Sequence, residues 1–188
     1  MRLKLIVGLM AAIVALCFLQ GSTAFAQDRS TAVARNSPCD LPQALQSVIA
    51  SRYPGSKLVS LRDLDEDDMA LFRKDHGGAC PGLVKVNFYG DGAPTFAMVL
   101  IMTEGETEQA ELIVAHERKQ TWETTLLETA PSSVPVVWSQ KPGEYEDVYG
   151  EKKIRARNPV IVFCGHNAAW VVVYAWTGSK TDKIWLRD

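Results

Sequence analysis

Short runs rich in hydrophobic, β-branched and aromatic residues recur beyond residue 83, and polar, turn-forming residues separate them. Runs of this kind between turn signals are typical of β-strands. The segments are LVKVNFY, PTFAMVLIM, AELIVAHE, TWETTLLE, PVVWSQ, KKIRAR, PVIVFC, AAWVVVYAW and DKIWLR. Short links between consecutive strands favour antiparallel pairing. This part of the chain therefore predicts an antiparallel β-meander.

Apolar residues recur at helical spacing ahead of the strands, at Leu41, Leu45, Val48, Ile49 and Tyr53. We expect Asp40 to cap the N-terminus of this helix and Pro54 with Gly55 to end it. A helix with one apolar face needs a partner surface, and the sheet offers one. The sequence predicts an α+β domain with an N-terminal helix packed on an antiparallel β-meander of about seven to nine strands.

An acidic cluster between residues 63 and 68 precedes Met69, Leu71 and Phe72. Carboxylates are favourable at the positive end of a helix, so we interpret the cluster as the start of a second helix. The alternative is a metal site. That alternative is less favoured because no histidine or second carboxylate group stands at a motif spacing that would complete it.

The first 26 residues have the pattern of a secretory signal peptide. Arg2 and Lys4 precede an apolar run over residues 5–19, and Ala24-Phe25-Ala26 supplies small residues for cleavage. The apolar run is shorter than the roughly 20 residues that a spanning helix needs, which disfavours a membrane anchor. We predict a signal peptide at 1–26, a flexible lead-in at 27–38 and a single globular domain at 39–188.

Export implies a periplasmic or secreted protein without stable membrane insertion after cleavage. The chain has a formal net charge of −2, and loss of Arg2 and Lys4 makes it more negative. The other basic residues are scattered, whereas nucleic acids and anionic membranes require a concentrated basic face. We therefore expect no nucleic-acid partner.

Three cysteines follow the predicted cleavage site, Cys39, Cys80 and Cys164. An exported protein meets an oxidising compartment, so we expect one disulfide, for which three pairings are possible. We favour Cys39–Cys80 because both lie beside prolines in loop-like segments, while Cys164 ends an apolar strand. This bridge would close a loop of about 40 residues and contribute about 3–4 kcal/mol.

The segment NFYGDGAPT, residues 87–95, contains a possible calcium site at Asn87 and Asp91. A calcium loop places oxygen ligands at positions one, three and five and a carboxylate at position twelve. Counted from Asn87, position three is Tyr89 and position twelve is Met98. Because two of the four positions lack a suitable oxygen, we favour a plain turn and keep a weak calcium site as the alternative.

The stretch VNFYGDGAPTFAMVLI resembles a single degenerate copy of the FG-GAP or VCBS type hairpin. The pattern of those families is Asp-x-Asn-x-Asp-Gly-x-x-Asp before an apolar strand, and Asp91 and Gly92 match it. In those families the loop carboxylates bind calcium, and many copies build a propeller. The chain as a whole is also similar to uncharacterised secreted bacterial proteins that join such a hairpin to a Trp-containing C-terminal one. The resemblance implies a compact envelope or secreted domain without a known activity.

The segment KPGEYEDVYGEKK, predicted as a long charged loop, carries Tyr145 and Tyr149. Tyrosines in exposed loops are common anchors of protein interfaces, so we predict a partner-binding surface here. The alternative is that one or both fold back over the sheet.

Sequence motifs of common enzymes are absent: there is no G-x-S-x-G, P-loop, H-E-x-x-H or C-x-x-C. We prefer the hypothesis of an exported, non-catalytic binding domain whose target is a protein or an envelope component. A small hydrolase is the first alternative, with His76, His116 or His166 in a pocket beside a carboxylate or Cys164. The second alternative is a structural module weakly stabilised by calcium.

Overall fold

A computed structural model describes residues 37–105, 107–131, 134–165 and 168–187. These residues contain two α-helices and eleven β-strands, and the strand pairs are antiparallel. The fold is therefore of the mixed α+β class. The predicted signal peptide, and the lead-in except for its last two residues, lie outside the described residues.

Helix α1 spans Gln43–Arg52, and it begins later than the sequence predicts. Asp40 does not cap it: the Asp40 carboxylate accepts a hydrogen bond from the Ser37 N–H at 2.6 Å. The Asp40 N–H in turn donates to the Ser37 carbonyl at 2.9 Å, closing a turn that precedes the helix. Local hydrogen bonding of this kind competes with helix capping, and here it replaces the predicted cap.

Helix α2 spans Glu66–His76 and confirms the interpretation of the acidic cluster as a helix start. The side chain of Asp65 caps the helix by accepting a hydrogen bond from the Asp68 N–H at 2.8 Å. The first turn carries three further carboxylates, where the helix dipole is favourable to them. Within the described residues, no group of three or more His, Cys, Asp and Glu is arranged to hold a metal ion.

The first sheet is built around β3. Its strands are β1 (Lys57–Leu58), β2 (Leu83–Val86), β3 (Thr95–Glu104), β4 (Thr107–Arg118) and β5 (Thr121–Pro131). Strands β1 and β2 pair with β3, β3 pairs with β4, and β4 pairs with β5. Strands β2 to β5 thus form a four-stranded antiparallel meander, which is part of the predicted one.

The remaining strands form a second sheet and a separate two-stranded ribbon. They are β6 (Val136–Gln140), β7 (Gly143–Glu146), β8 (Lys153–Ala156), β9 (Val160–Cys164), β10 (Val171–Trp176) and β11 (Thr181–Arg187). The second sheet has the order β11-β10-β9-β6, while β7 pairs with β8. The described strands therefore outnumber the predicted seven to nine and do not form one continuous meander.

Alternation along the strands divides the core into three apolar clusters. In β3, Ala97 and Val99 belong to the cluster between the two sheets. Met98 belongs instead to the cluster that contains Leu45 of α1. In the second sheet, Val162 belongs to a third cluster, which includes residues of the β7–β8 ribbon. The central strands β3, over residues 95–101, and β9 are thus buried on both faces, which explains their apolar sequences.

The favoured disulfide is present: Cys39 is bonded to Cys80, with the Cα atoms 5.1 Å apart. The bond links the segment before α1 to the segment before β2. Cys164 is a buried free thiol, as the sequence suggested. Neither described helix is long and apolar enough to cross a membrane.

Candidate functional site

A chain of hydrogen-bonded side chains lies where β3 begins and β4 ends. Thr95 and His116 are directly opposite each other on these strands. The Thr95 hydroxyl lies 2.9 Å from Nδ1 of His116, and Nε2 of His116 lies 2.9 Å from Oδ2 of Asp91. In the neutral tautomer with the proton on Nε2, the ring donates to the carboxylate and accepts from the hydroxyl. Both ring nitrogens therefore have a partner.

Asp91 belongs to the β2–β3 loop, residues 87–94, which is held by its own side chains. Oδ1 of Asp91 accepts a hydrogen bond from the Ala93 N–H at 3.0 Å, and Oδ1 of Asn87 accepts one from the Gly92 N–H at 3.2 Å. Gly92 has a φ of 81°, a conformation that glycine adopts without strain. The loop therefore presents Asp91 in one defined position.

The two predicted calcium ligands, Asn87 and Asp91, both lie in this loop. One oxygen of Asn87 and both oxygens of Asp91 already accept the hydrogen bonds described above. Calcium takes about six to eight oxygen ligands, so an ion here would compete with these bonds. The hydrogen bonds are those of a side-chain-stabilised turn.

Burial falls steeply along the chain of side chains. Thr95 is fully buried, His116 is 5% exposed, and the Asp91 side chain is 45% exposed. Burial favours a higher pKa for Asp91, but the hydrogen bond from Ala93 and the interaction with His116 outweigh it and lower the pKa. In this hydrogen-bonded series the solvent-accessible group is therefore the ionised carboxylate of Asp91, and the hydroxyl of Thr95 is closed to solvent.

Two aromatic rings and a charged pair complete the site. The Tyr89 ring centroid lies 4.3 Å from that of His116 and 5.0 Å from that of Trp176. Burial raises the pKa of Tyr89, so its hydroxyl stays protonated and polar. The surrounding cavity has a volume of about 250 Å³. We call it the Asp91 cleft, and its lining residues are Tyr89, Asp91, His116, Arg118, Glu123, Thr125 and Trp176.

The Asp91 cleft is better suited to binding than to nucleophilic chemistry. A nucleophile has to reach its substrate, and the Thr95 hydroxyl is fully buried. The groups that a ligand can reach are the Asp91 carboxylate and the largely exposed Arg118 and Glu123, whose charged atoms lie 3.7 Å apart. Together with the aromatic rings they offer stacking surfaces, hydrogen-bond acceptors and a guanidinium donor in one place.

The structure gives the two predicted partner-binding tyrosines different environments. Tyr145 lies on β7 and not in a loop; its hydroxyl donates to the Lys141 carbonyl at 2.6 Å, and its ring packs against the cluster that includes Ile154. Tyr149 is 61% exposed, next to Val148, which is 50% exposed. Only Tyr149 therefore presents most of its side chain at the surface.

Two other candidates from the sequence, His76 and Cys164, do not line the Asp91 cleft. His76 and Cys164 line a separate cavity, and His166 lies outside the described residues. Burial, with a contribution from the charge of Asp68, raises the pKa of the Cys164 thiol to about 11. Because the thiolate is the nucleophilic form, Cys164 is poorly suited to catalysis at neutral pH.

The sequence analysis did not bring Thr95, His116 and Trp176 together with Asp91. Part of the signal was available in the turn between β3 and β4. Glu104 pairs with Thr107, and counting back along both strands from this pair places Thr95 opposite His116. The approach of Trp176 from the second sheet has no comparable signal in the sequence.

Comparison with protein families, with curated proteins and with solved structures found no match to this chain.

Proposed function

We propose that the protein is an exported, non-catalytic binding domain that recognises another exported protein or an envelope component through the Asp91 cleft. One observation carries the proposal. The hydrogen-bonded side chains Thr95, His116 and Asp91 end in a fully buried hydroxyl on one side and an exposed carboxylate on the other. Such a chain fixes the carboxylate for recognition and offers a substrate no nucleophile.

Export is supported by two independent features. The N-terminal segment has the pattern of a signal peptide, and Cys39 is bonded to Cys80. Disulfides persist mainly in oxidising compartments. We propose a periplasmic or secreted location on these grounds.

Recognition is supported by the residue types in the cleft and by their rigidity. Tyrosine, tryptophan and arginine are the residues most often found at the energetic centres of interfaces. Here Tyr89 is packed against His116 and Trp176, so little side-chain freedom is left to lose on binding. Preorganisation of this kind strengthens binding without requiring a larger interface.

The test is a capture experiment with three forms of the complete chain, each purified after export by the cells that express it. The first is the wild type. The second carries Arg118→Ala with Glu123→Gln, two changes at largely exposed positions that should leave the fold intact. The third carries Tyr149→Ala, because Tyr149 is the exposed member of the other predicted surface. Tyr145 is left unchanged because its ring packs against the cluster that includes Ile154.

The three proteins are fixed to a support and exposed to envelope and culture fractions, after matched melting curves have shown that they are folded. We expect a component that is enriched by the wild type and by the Tyr149 variant and lost by the cleft variant. Enrichment that depends on Tyr149 and not on the cleft would place the binding surface on the segment between β7 and β8. Equal recovery by the cleft variant and the wild type would contradict the proposal.

A small hydrolase is the second candidate, because a hydroxyl, an imidazole and a carboxylate in one hydrogen-bonded chain are the components of catalytic triads. In that role the Thr95 hydroxyl would have to become accessible by movement of the β2–β3 loop. The discriminating assay is hydrolysis of a panel of esters by the wild type and by Thr95→Val. The binding proposal predicts no turnover by either, whereas turnover that Thr95→Val abolishes would favour the hydrolase.

A further inference from the structure

Strand β5 is the last strand of the first sheet, so one of its edges faces away from β4. Arg118 and Thr121 flank the two-residue turn between β4 and β5, and in such a turn they form the first hydrogen-bonded pair. Hydrogen-bonded and non-hydrogen-bonded pairs alternate along antiparallel strands. The residues that point their N–H and C=O groups outward, before a bulge shifts the register, are therefore Trp122, Thr124 and Leu126.

This outward edge of β5 is open. In the part of the chain that the structure describes, no backbone group outside β4 bonds to residues 121–126. Sheet edges are usually protected by a lysine, a proline or a bulge. The sequence TWETTL has one charged residue and no proline, and the bulge comes only after Leu126. The β11 edge of the second sheet differs, because the Trp185 carbonyl accepts a hydrogen bond from the Val148 N–H at 2.8 Å.

The open edge also carries apolar side chains that are not fully buried. Leu126 is 50% exposed, and Trp122 is half-buried. Side chains alternate between the two faces of a strand, so both share the face of Thr124. That face carries α1, because the Thr124 hydroxyl accepts a hydrogen bond from Arg52 at 2.8 Å. A strand paired to this edge would therefore cover apolar surface as well as open backbone groups.

The edge is complementary to itself in an antiparallel pairing. When Thr124 of one copy lies opposite Thr124 of a second copy, Trp122 lies opposite Leu126 on both sides of this centre. All three outward residues are then paired, and an aromatic side chain faces an aliphatic one, which is a favourable cross-strand contact. Sliding one strand by two residues either brings Glu123 opposite Glu123, where like charges repel, or separates Trp122 from Leu126.

We propose that the protein forms a weak symmetric dimer in which the β5 edges of two copies pair about Thr124. The twofold axis of such a pair is perpendicular to the sheet, so the first sheets of the two copies join into one. Glu123 and Thr125 line the Asp91 cleft on the face opposite to α1, so both clefts lie on the same side of the joined sheet. The dimer does not depend on the function proposed for the Asp91 cleft.

The self-association is measured by sedimentation equilibrium of the complete chain, purified after export. One pair of strands makes a small interface, so we expect a dissociation constant on the order of 10–100 µM. Loading concentrations of about 5–500 µM then cover the change from monomer to dimer. A wild type that stays monomeric over this range would overturn the proposal.

The surface is identified by a matched pair of variants, Leu126→Lys and Leu71→Lys. Each replaces a partly exposed leucine by a charged residue, and Leu71 lies on α2. A lysine on a sheet edge opposes pairing with another strand, so Leu126→Lys should weaken the dimer about tenfold or more. Leu71→Lys should leave the dissociation constant unchanged. Equal effects of the two substitutions would show that association does not use the β5 edge, and the proposal would fail.

The response to salt is a further readout. The hydrogen bond from Arg52 to Thr124 holds one guanidinium group of each copy near the proposed axis, where the two like charges oppose association. Salt screens this repulsion. Raising the salt concentration from about 0.05 M to about 0.5 M should therefore strengthen the dimer. Weakening by salt would show that ion pairs hold the copies together, and it would overturn the assigned contact.

The register is tested by Thr124→Cys, with Thr121→Cys as the control on the same strand. Opposite residues of a hydrogen-bonded pair have Cα atoms about 5.5 Å apart, which a disulfide can span. Two copies of residue 121 would be offset by about six residues, or about 20 Å. Under mild oxidation of the folded proteins we expect a disulfide-linked dimer from Thr124→Cys and little from Thr121→Cys. Equal yields would refute the register.

The linked dimer is separated from capture of a different protein in two ways. It has twice the mass of the chain, and it forms in the purified protein. Cys164 is present in both variants and is buried, so it contributes equally to any background.

Discussion

The hydrogen bond between Thr95 and His116 can be tested by a double-mutant cycle in which each substitution keeps the shape of the side chain. Thr95→Val removes the hydroxyl that lies 2.9 Å from Nδ1 of His116. His116→Phe removes both ring nitrogens and retains a ring to pack against Tyr89, whose centroid is 4.3 Å away. Asp91 loses a partner in the second variant, but it is 45% exposed and can be hydrated.

Burial sets the expected magnitudes. His116 is 5% exposed, so Nδ1 cannot readily find water after Thr95→Val, and an unsatisfied buried polar atom costs about 1–3 kcal/mol. In the His116→Phe background no nitrogen is left unsatisfied, and the fully buried Thr95 hydroxyl has itself lost its His116 partner. The same Thr95→Val substitution should then leave the free energy of unfolding unchanged or raise it. The coupling energy is therefore expected to be at least about 1–3 kcal/mol.

The assay is urea unfolding of the wild type, the two single variants and the double variant at pH 7, followed by tryptophan fluorescence. Linear extrapolation gives the four free energies, provided that the slopes agree. A cost of Thr95→Val that is the same in both backgrounds would show that the two side chains are not coupled. The account of a fixed carboxylate in the Asp91 cleft would then lose its physical basis.

Four further outcomes follow from the structure. Replacing Cys39 and Cys80 by alanine opens a loop with a sequence separation of 41 and should lower the free energy of unfolding by about 4 kcal/mol; a loss below about 1 kcal/mol in urea unfolding would contradict this. The Tyr174 hydroxyl donates to Glu128 at 2.6 Å, so Tyr174→Phe should cost about 1–2 kcal/mol at pH 7. Burial favours a higher pKa for Glu128, but the hydrogen bonds from Lys183 and Tyr174 outweigh it and lower the pKa below 4.5. The ionised form of Glu128 therefore stabilises the fold above that pH. The penalty of Tyr174→Phe should shrink as the pH falls through the pKa that Glu128 has in the folded protein. Gln120 has a φ of 65° in the turn between β4 and β5, and Gln120→Gly should raise the midpoint of urea unfolding by relieving about 0.5–1 kcal/mol of strain. Millimolar calcium should leave the melting temperature unchanged, because the oxygens of the β2–β3 loop are already hydrogen-bonded; a rise with calcium and not with magnesium would establish the ion site.

Features that depend on short stretches of sequence were predictable. The continuous apolar run of β10 marks a strand that is covered on both faces, and the structure places it between β9 and β11 in the second sheet. The carboxylates at the start of α2 follow from the helix dipole, and one of them, Asp65, is the cap. The Cys39–Cys80 bond agrees with the local context of both cysteines.

Features that depend on competition or on distant contacts were not predictable. Asp40 has the right chemistry for a cap, but a turn with Ser37 takes its carboxylate. Strand β7 lacks a strong apolar alternation, and it is a strand because it pairs with β8. The division into two sheets, which brings Trp176 beside Tyr89, arises from packing between segments far apart in the sequence.

Photo-crosslinking in cells that export the protein tests the proposed recognition surface most directly. A photoreactive phenylalanine analogue is placed at position 121, which pairs with Arg118 at the edge of the Asp91 cleft and is not one of its lining residues. In a second protein it is placed at position 149, on the segment between β7 and β8. Both positions are exposed, so neither change should disturb the core. The account predicts a crosslinked partner from position 121 and none from position 149. Crosslinking from position 149 alone, or from neither position, would contradict recognition through the Asp91 cleft.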